Sequence, residues 1–248
     1  MPLYLTLAGK SDVGRVRRRN EDSFRLAPEL GIAVVADGMG GHPGGDVASR
    51  IAAERALERL REPRAPGSME RAMSDVVLSA HAAVRDRGAS EPALSGMGTT
   101  LTAFLADVVE EAWCIGHVGD SRAYLLRGGA FCQLTRDDTW VQRKVDADEL
   151  TPAQARHHPF GHILTQCLGS DAPPVVQVLT GSLEAGDLFL LCSDGLVGML
   201  DDEMLYEILL AHTRDPAADV ESAARSLVTS ARERGGFDNI TVALVAAS

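Results

Sequence analysis

Apolar residues fall into two rhythms along this chain. Short unbroken runs, rich in β-branched residues and bounded by Gly, Asp or Asn, predict buried strands. They lie at residues 4–8, 23–26, 32–36, 175–179, 188–192 and 240–245, with four more between Gly98 and Gln133: TTLTAFLA, EAWCIGHV, SRAYLLR and AFCQL. The last two flank a Gly128-Gly129 turn, and the four read as an antiparallel meander. Spacings of three and four predict helices instead. Val47, Ile51, Leu57 and Leu60 mark one over 46–60, which residues 61–67 break. Met69, Met73, Val76, Val77, Ala80 and Val84 mark a second, with Ser68 as its N-cap. A third covers 202–211. A fourth opens with Asp215-Pro216 and turns Val220, Ala224, Leu227, Val228 and Ala231 inward.

Strands thus come in groups with helices between the groups, which favours antiparallel sheets over strict βαβ alternation. The expected class is α+β, a four-layer α-β-β-α sandwich of two mainly antiparallel sheets flanked by helices, forming a single domain over 1–248. Residues 136–162 break the rhythm with short charged helices, one started by Thr151-Pro152, and read as a mobile flap.

The polar residues at the strand ends are what make the pattern informative. The run IAVVADG ends in Asp37, WCIGHVGD in Asp120 and LFLLCSDG in Asp194; Asp238-Asn239 precedes the last strand, and Glu21-Asp22 an early one. Any one of these reads as an ordinary turn. Five together point to carboxylates converging on a shared cation. Oxygen donors without interleaved His or Cys select Mg²⁺ or Mn²⁺ over Zn²⁺ or Cu²⁺, the carbonyl of Gly38 being a further donor. Two ions sharing Asp37, Asp194 and Asp238 would sit about 3.5–4 Å apart and activate a bridging water. Arg17, in the basic run Arg15, Arg17, Arg18, Arg19, supplies a bidentate fork for a phosphate.

Composition narrows the classes. The chain has 248 residues, is 45% hydrophobic and carries a net charge of −11, which argues against nucleic acid or anionic lipid as a partner. No apolar run is long enough to span a membrane and residues 1–10 lack a signal peptide's features, so a cytoplasmic protein is expected. Four scattered cysteines exclude a zinc pattern; Cys114 and Cys192 read as buried hydrophobes. The glycines from 40 to 45 imitate a P-loop, but Asp46 stands where lysine is needed. Ser193 has no histidine beside it to make it a nucleophile, and His117 reads as a core residue. His157 and His158 read as exposed in the flap, and His42 as a neighbour of substrate.

The strings VRRRNEDSF, VVADGMGGH, GMGTTL, HVGDSRAYLL, LTRDDTWVQ, LLCSDGL and DNITV, in this order over residues 10–245, resemble the metal-dependent protein phosphatases of type 2C, in particular the bacterial serine/threonine branch. The resemblance implies a sandwich fold, a binuclear Mn²⁺ or Mg²⁺ centre, and hydrolysis of phosphoserine or phosphothreonine by a water or hydroxide bridging the metals. It implies that Arg17 binds the phosphate, that Asp37 bridges both metals, and that Gly38 offers its carbonyl. Asp194 and Asp238 would complete the first metal's shell. Glu21 and Asp22 would hold metal-bound waters, Asn239 would position Asp238, and Asp120 with Asp194 would bind a third, weaker ion. Phosphoproteins, substrates of a serine/threonine kinase, are the implied partners of a monomeric enzyme. Two positions depart from the pattern: Met39 stands where some members place a histidine, and Asp137-Asp138-Thr139 replaces the usual Asp-His-Ser/Thr. A non-catalytic phosphoprotein-binding module and a phosphatase of small esters are the alternatives.

Overall fold

The computed structural model describes residues 3–41, 44–63, 65, 68–156, 158–213 and 219–248. In order the chain forms β1 (Leu5–Asp12), β2 (Asp22–Ala27), β3 (Ile32–Asp37), α1 (Gly45–Leu60), α2 (Met69–Ser90), β4 (Leu101–Asp107), β5 (Ala112–Val118), β6 (Arg122–Arg127) and β7 (Ala130–Gln133). Then follow α3 (Trp140–Asp146), α4 (Pro152–Arg156), β8 (Gln177–Ser182), β9 (Leu188–Cys192), α5 (Asp194–Val197), α6 (Asp202–Thr213), α7 (Val220–Glu233) and β10 (Ile240–Ala247). The strands make two five-stranded sheets, ordered β1-β10-β9-β6-β7 and β2-β3-β4-β5-β8, antiparallel at every pairing.

Alternation along the central strands explains the layering, because successive side chains point to opposite faces and both faces are covered. In β3, Ile32, Val34 and Ala36 pack against Ala52, Ala56, Val77 and Ala80 of α1 and α2. Ala33 and Val35 point the other way, into a cluster with Phe104, Trp113, Phe189 and Val245 between the sheets. In β10, Val242 and Leu244 meet Leu205, Leu227 and Val228 beneath α6 and α7. Phe189 fixes the inter-sheet layer, its ring centroid 4.7 Å from that of Phe104 and 5.5 Å from that of Trp113. The expected four-layer α-β-β-α sandwich is therefore observed.

Several local expectations are corrected. The four strands from β4 to β7 are no meander: β5 pairs with β4 and β8, whereas β6 pairs with β7 and β9 in the other sheet. The chain crosses between sheets at 119–121, a change of layer that hydrophobic runs do not encode. In α1 the buried stripe is Ala48, Ala52, Ala53, Ala56 and Leu60, with Val47, Ile51 and Leu57 flanking it half-buried, because small residues let the helix lie close to the sheet. Ser68 is the N-cap of α2, but its hydroxyl donates to the Ala65 carbonyl and does not cap. Asp215 and Pro216 lie outside the described residues; α7 is capped by Asp219, whose side chain accepts from the Ser222 amide. The flap helices α3 and α4 form as expected, pinned by the trio Trp140, His158 and Phe160. His158 is thus half-buried, not exposed, while His157 lies outside the described residues.

Candidate active site

Strand ends from both sheets open at one edge of the sandwich. β3 delivers Asp37, β9 runs through Ser193 to Asp194 at the start of α5, β10 begins after Asp238-Asn239, and the crossover from β5 to β6 carries Asp120. Asp37, Asp120, Asp194 and Asp238 line one cavity of about 450 Å³, with Glu21, Gly38 and Arg17. Ile163 and Leu164, where the flap rejoins the body, form the opposite wall.

Two glycines permit this convergence. A β-carbon at Gly38 would overlap the Gly45 and Glu21 carbonyls, and one at Gly195 would overlap that of Asn239. Only glycine lets α5 sit against the start of β10 and bring Asp194 near Asp238. Thr100 ties two site loops together: its hydroxyl accepts from the Asp37 amide at 2.9 Å and meets the Ser121 hydroxyl at 2.7 Å.

So many carboxylates at one edge oppose one another's ionisation. Burial first, then the charges of Asp22, Asp194, Asp120 and Asp238, hold Asp37 well above the ordinary carboxylate range. Asp120 is raised likewise by burial, Asp194 and Asp137. Asp194 is raised by burial and Asp238, partly relieved by Asp37 and Arg17. These three lie deep in the fold and meet solvent only through the cavity. Glu21, nearer the surface, is raised by burial and Asp46. Asp22 stands behind the cavity wall: burial pushes it up to about 7, although Ser193 Oγ donates to its Oδ2 at 2.7 Å. Its Oδ1 is buried without any partner.

This arrangement suits a divalent cation. A hard, all-oxygen donor set, mutually repelling carboxylates and a buried carboxylate oxygen without a hydrogen-bond partner fit the chemistry of a divalent cation. Among the described residues, however, no three Asp, Glu, His or Cys side chains close into a finished metal cage. Asp238 is also held by Arg17, whose Nη2 lies 2.6 Å from its Oδ2.

The Asn239 amide nitrogen of the backbone donates to Asp238 Oδ1 at 2.8 Å, fixing that carboxylate. The Asn239 side chain donates to the Val13 and Arg19 carbonyls and accepts from the Glu21 amide, so it organises the Arg17 loop. Ser193 spends its hydroxyl on Asp22 and on the Thr241 amide, as a support and not a nucleophile. His117 is a fully buried core residue, bonded to Thr102 and the Gly119 carbonyl. Cys114 and Cys192 are buried. His42 lies outside the described residues. Sequence reasoning missed His162, which reaches the cavity from the flap, and Thr100, which was read only as part of a strand.

The sequence profile of the family described as Protein phosphatase 2C matches residues 14–230. The chain belongs to the protein phosphatase 2C family. It is 39% identical over 241 residues to the serine/threonine protein phosphatase PstP of Mycobacterium tuberculosis, covering 97% of this chain but only 44% of that protein. It therefore spans less than half the length of that curated relative. It is 36% identical to the serine/threonine phosphatase stp of Listeria innocua, over 95% of this chain and 93% of that protein. A crystal structure of the catalytic domain of the serine/threonine protein phosphatase PstP in complex with two manganese ions superposes with a TM-score of 0.86, at 36% identity and 99% coverage of both chains. Within this protein phosphatase 2C fold, the flap is tied to the site by Asp138, whose carboxylate accepts from the Gly119 amide at 3.0 Å and from Gln166 at 2.9 Å.

Proposed function

We propose that this chain is one catalytic domain that hydrolyses phosphoserine and phosphothreonine in proteins, using two divalent cations, Mn²⁺ or Mg²⁺. The observation that carries the reading is the cavity in which Asp37, Asp120, Asp194 and Asp238 face Arg17 in a protein phosphatase 2C fold. Asp37, Asp194, Asp238 and the Gly38 carbonyl would hold the two ions, with Glu21 and Asp22 through water, and Asp120 with Asp194 a third. Bound there, the ions would supply Lewis acidity, making water nucleophilic near neutral pH and offsetting charge on the phosphoryl oxygens.

The chain's own groups do the rest. Arg17 is placed to offer its guanidinium to two phosphoryl oxygens, exchanging its contact with Asp238 for the substrate. Asn239 keeps the Arg17 loop and Asp238 in register, so that phosphate and carboxylates are presented together. In the reaction the P–O bond to the serine or threonine oxygen breaks while a water oxygen bonds to phosphorus, giving the free hydroxyl and inorganic phosphate. Met39 at the cavity offers no proton for the leaving oxygen. The same reading includes a serine/threonine kinase that makes the substrates, a monomer and a cytoplasmic setting. No helix among the described residues is long and apolar enough to cross a membrane.

The test is turnover of p-nitrophenyl phosphate and of a phosphothreonine peptide with Mn²⁺, with Mg²⁺ and with excess EDTA. Activity that persists undiminished in EDTA sinks the reading. Turnover of sugar phosphates at a higher kcat/KM than phosphopeptides would favour the small-ester alternative.

A further inference from the structure

The loop that carries Arg17 also carries Arg15, Arg18 and Arg19; all four are exposed, and Arg17 among them lines the cavity. Among the described residues, none of Arg15, Arg18 and Arg19 has a carboxylate within 4.0 Å, whereas Arg25, Arg55, Arg59, Arg87, Arg122 and Arg127 each do. Among the described residues Arg71, Arg143, Arg156 and Arg234 also lack a carboxylate within 4.0 Å, but singly, whereas three such arginines fall within residues 15–19, where Arg19 lies near enough to Glu21 to act on its charge.

The loop is also held still. Asn239 Nδ2 donates to the Val13 and Arg19 carbonyls, each at 2.9 Å, and its Oδ1 accepts from the Glu21 amide at 2.8 Å. Arg15 donates its amide to the Gly236 carbonyl at 2.7 Å, and Asn20 Nδ2 reaches Ser11 Oγ at 2.7 Å. The backbone is therefore fixed by the residue that also orients Asp238, while the cationic side chains project outward. A rigid display of this kind costs little ordering when a partner arrives.

We infer that Arg18 and Arg19, with Arg15, form a docking rim for acidic residues, Asp or Glu, that flank the phosphoresidue in a substrate chain. The inference rests on the phosphatase reading above and deepens it by naming a substrate preference. A phosphate on Arg17 places the neighbouring residues of its own chain against this loop. Opposite charge there steers encounter and favours one class of flank, while a basic flank meets like charge. The contacts lie at the surface, so the preference weakens as salt rises.

Two arms test it. In the first, kcat/KM is measured with Mn²⁺ on phosphothreonine peptides flanked by three Glu or three Lys, and on p-nitrophenyl phosphate. The wild type should favour the Glu peptide about tenfold at low salt, and the R18E/R19E variant should lose or reverse that ratio with p-nitrophenyl phosphate turnover within about twofold. An unchanged ratio in the variant overturns the rim. In the second arm, the same peptides carrying an uncleavable phosphonate are fluorescein-labelled and titrated by anisotropy, which reads docking without turnover. Tighter binding of the Glu peptide to wild type than to R18E/R19E supports the rim; equal binding overturns it. Absent turnover of every ester by the wild type would instead overturn the phosphatase reading, and the anisotropy arm would still decide the rim.

Discussion

Asp22 and Asp37 are direct partners across the β2–β3 ladder, two carboxylates at the same end of two neighbouring strands. Like charges facing each other in a sheet destabilise it, and burial raises both groups, Asp22 to about 7. A carboxyl whose pKa is raised by folding binds more protons in the native state than in the unfolded chain, so stability falls as pH climbs from its ordinary value, 3.8, towards 7. Metal-free wild type should lose stability relative to Asp22→Asn across that window, and the difference should flatten above it. Urea unfolding of both proteins in EDTA from pH 4 to pH 8 checks this. A difference that grows in the wild type's favour as pH rises would contradict it.

The same repulsion sets the response to metal. Asp37→Asn removes one of these opposed charges, so without metal the variant should be at least as stable as wild type. With Mn²⁺ the order should reverse. An ion at a hundred times its Kd stabilises the native state by about 2.7 kcal/mol, and in a chain of this size each kcal/mol raises Tm by roughly 2–4 °C. Thermal melts should show the wild type gaining on the order of 5–10 °C and Asp37→Asn gaining little.

How much of this was legible beforehand depended on what kind of information each feature needs. β3 and β10 announced themselves, since strands buried on both faces leave unbroken apolar runs, and Asp37, Asp194 and Asp238 were visible as breaks in those runs. The crossover at Gly119 was not, because the strands on both sides of it look alike and only pairing tells which sheet each joins. The alanine stripe of α1 was hidden by its bulkier flanks, although close packing against a sheet rewards the small residues. The Arg17–Asp238 contact joins residues 221 apart and depends on side-chain geometry that no local pattern carries.

That contact yields a kinetic prediction. Arg17 and Asp238 are each more than a third exposed, so their ion pair contributes little to stability and Arg17→Ala should change the unfolding free energy by no more than about 0.5 kcal/mol. The guanidinium's loss should instead raise KM for phosphopeptides, with kcat falling less if ground and transition states are held alike. Arg17→Lys keeps the charge but loses the planar fork, and should recover only part of the KM. Steady-state kinetics beside urea denaturation separate the two effects; a large stability loss in Arg17→Ala would make the loop, not the phosphate contact, the cause.

Asp138 offers the sharpest stability test, because it joins the root of the flap to the crossover that carries Asp120. It is buried, its Oδ2 accepts from the Gly119 amide, its own amide donates to the Gly119 carbonyl at 2.7 Å, and its carbonyl accepts from Thr165 across the root of the flap. Gly119 has φ of +111° and packs against Thr100, so it can neither be replaced nor find another partner without moving Asp120. Asp138→Ala strands the Gly119 amide in the interior, a loss of about 1–3 kcal/mol. Asp138→Asn retains an acceptor for Gly119, so its cost should be smaller, although its amide nitrogen would then face the Gln166 Nε2 donor, whose Oε1 already receives the Val175 amide at 2.7 Å. Hydrogen exchange should quicken at Gly119 and at Thr165 in the alanine variant and less in the asparagine one. If both variants exchange and unfold like wild type, the flap root is held by Thr139, Trp140 and their partners Leu164 and Ile163 alone, and the carboxylate at 138 is dispensable to it.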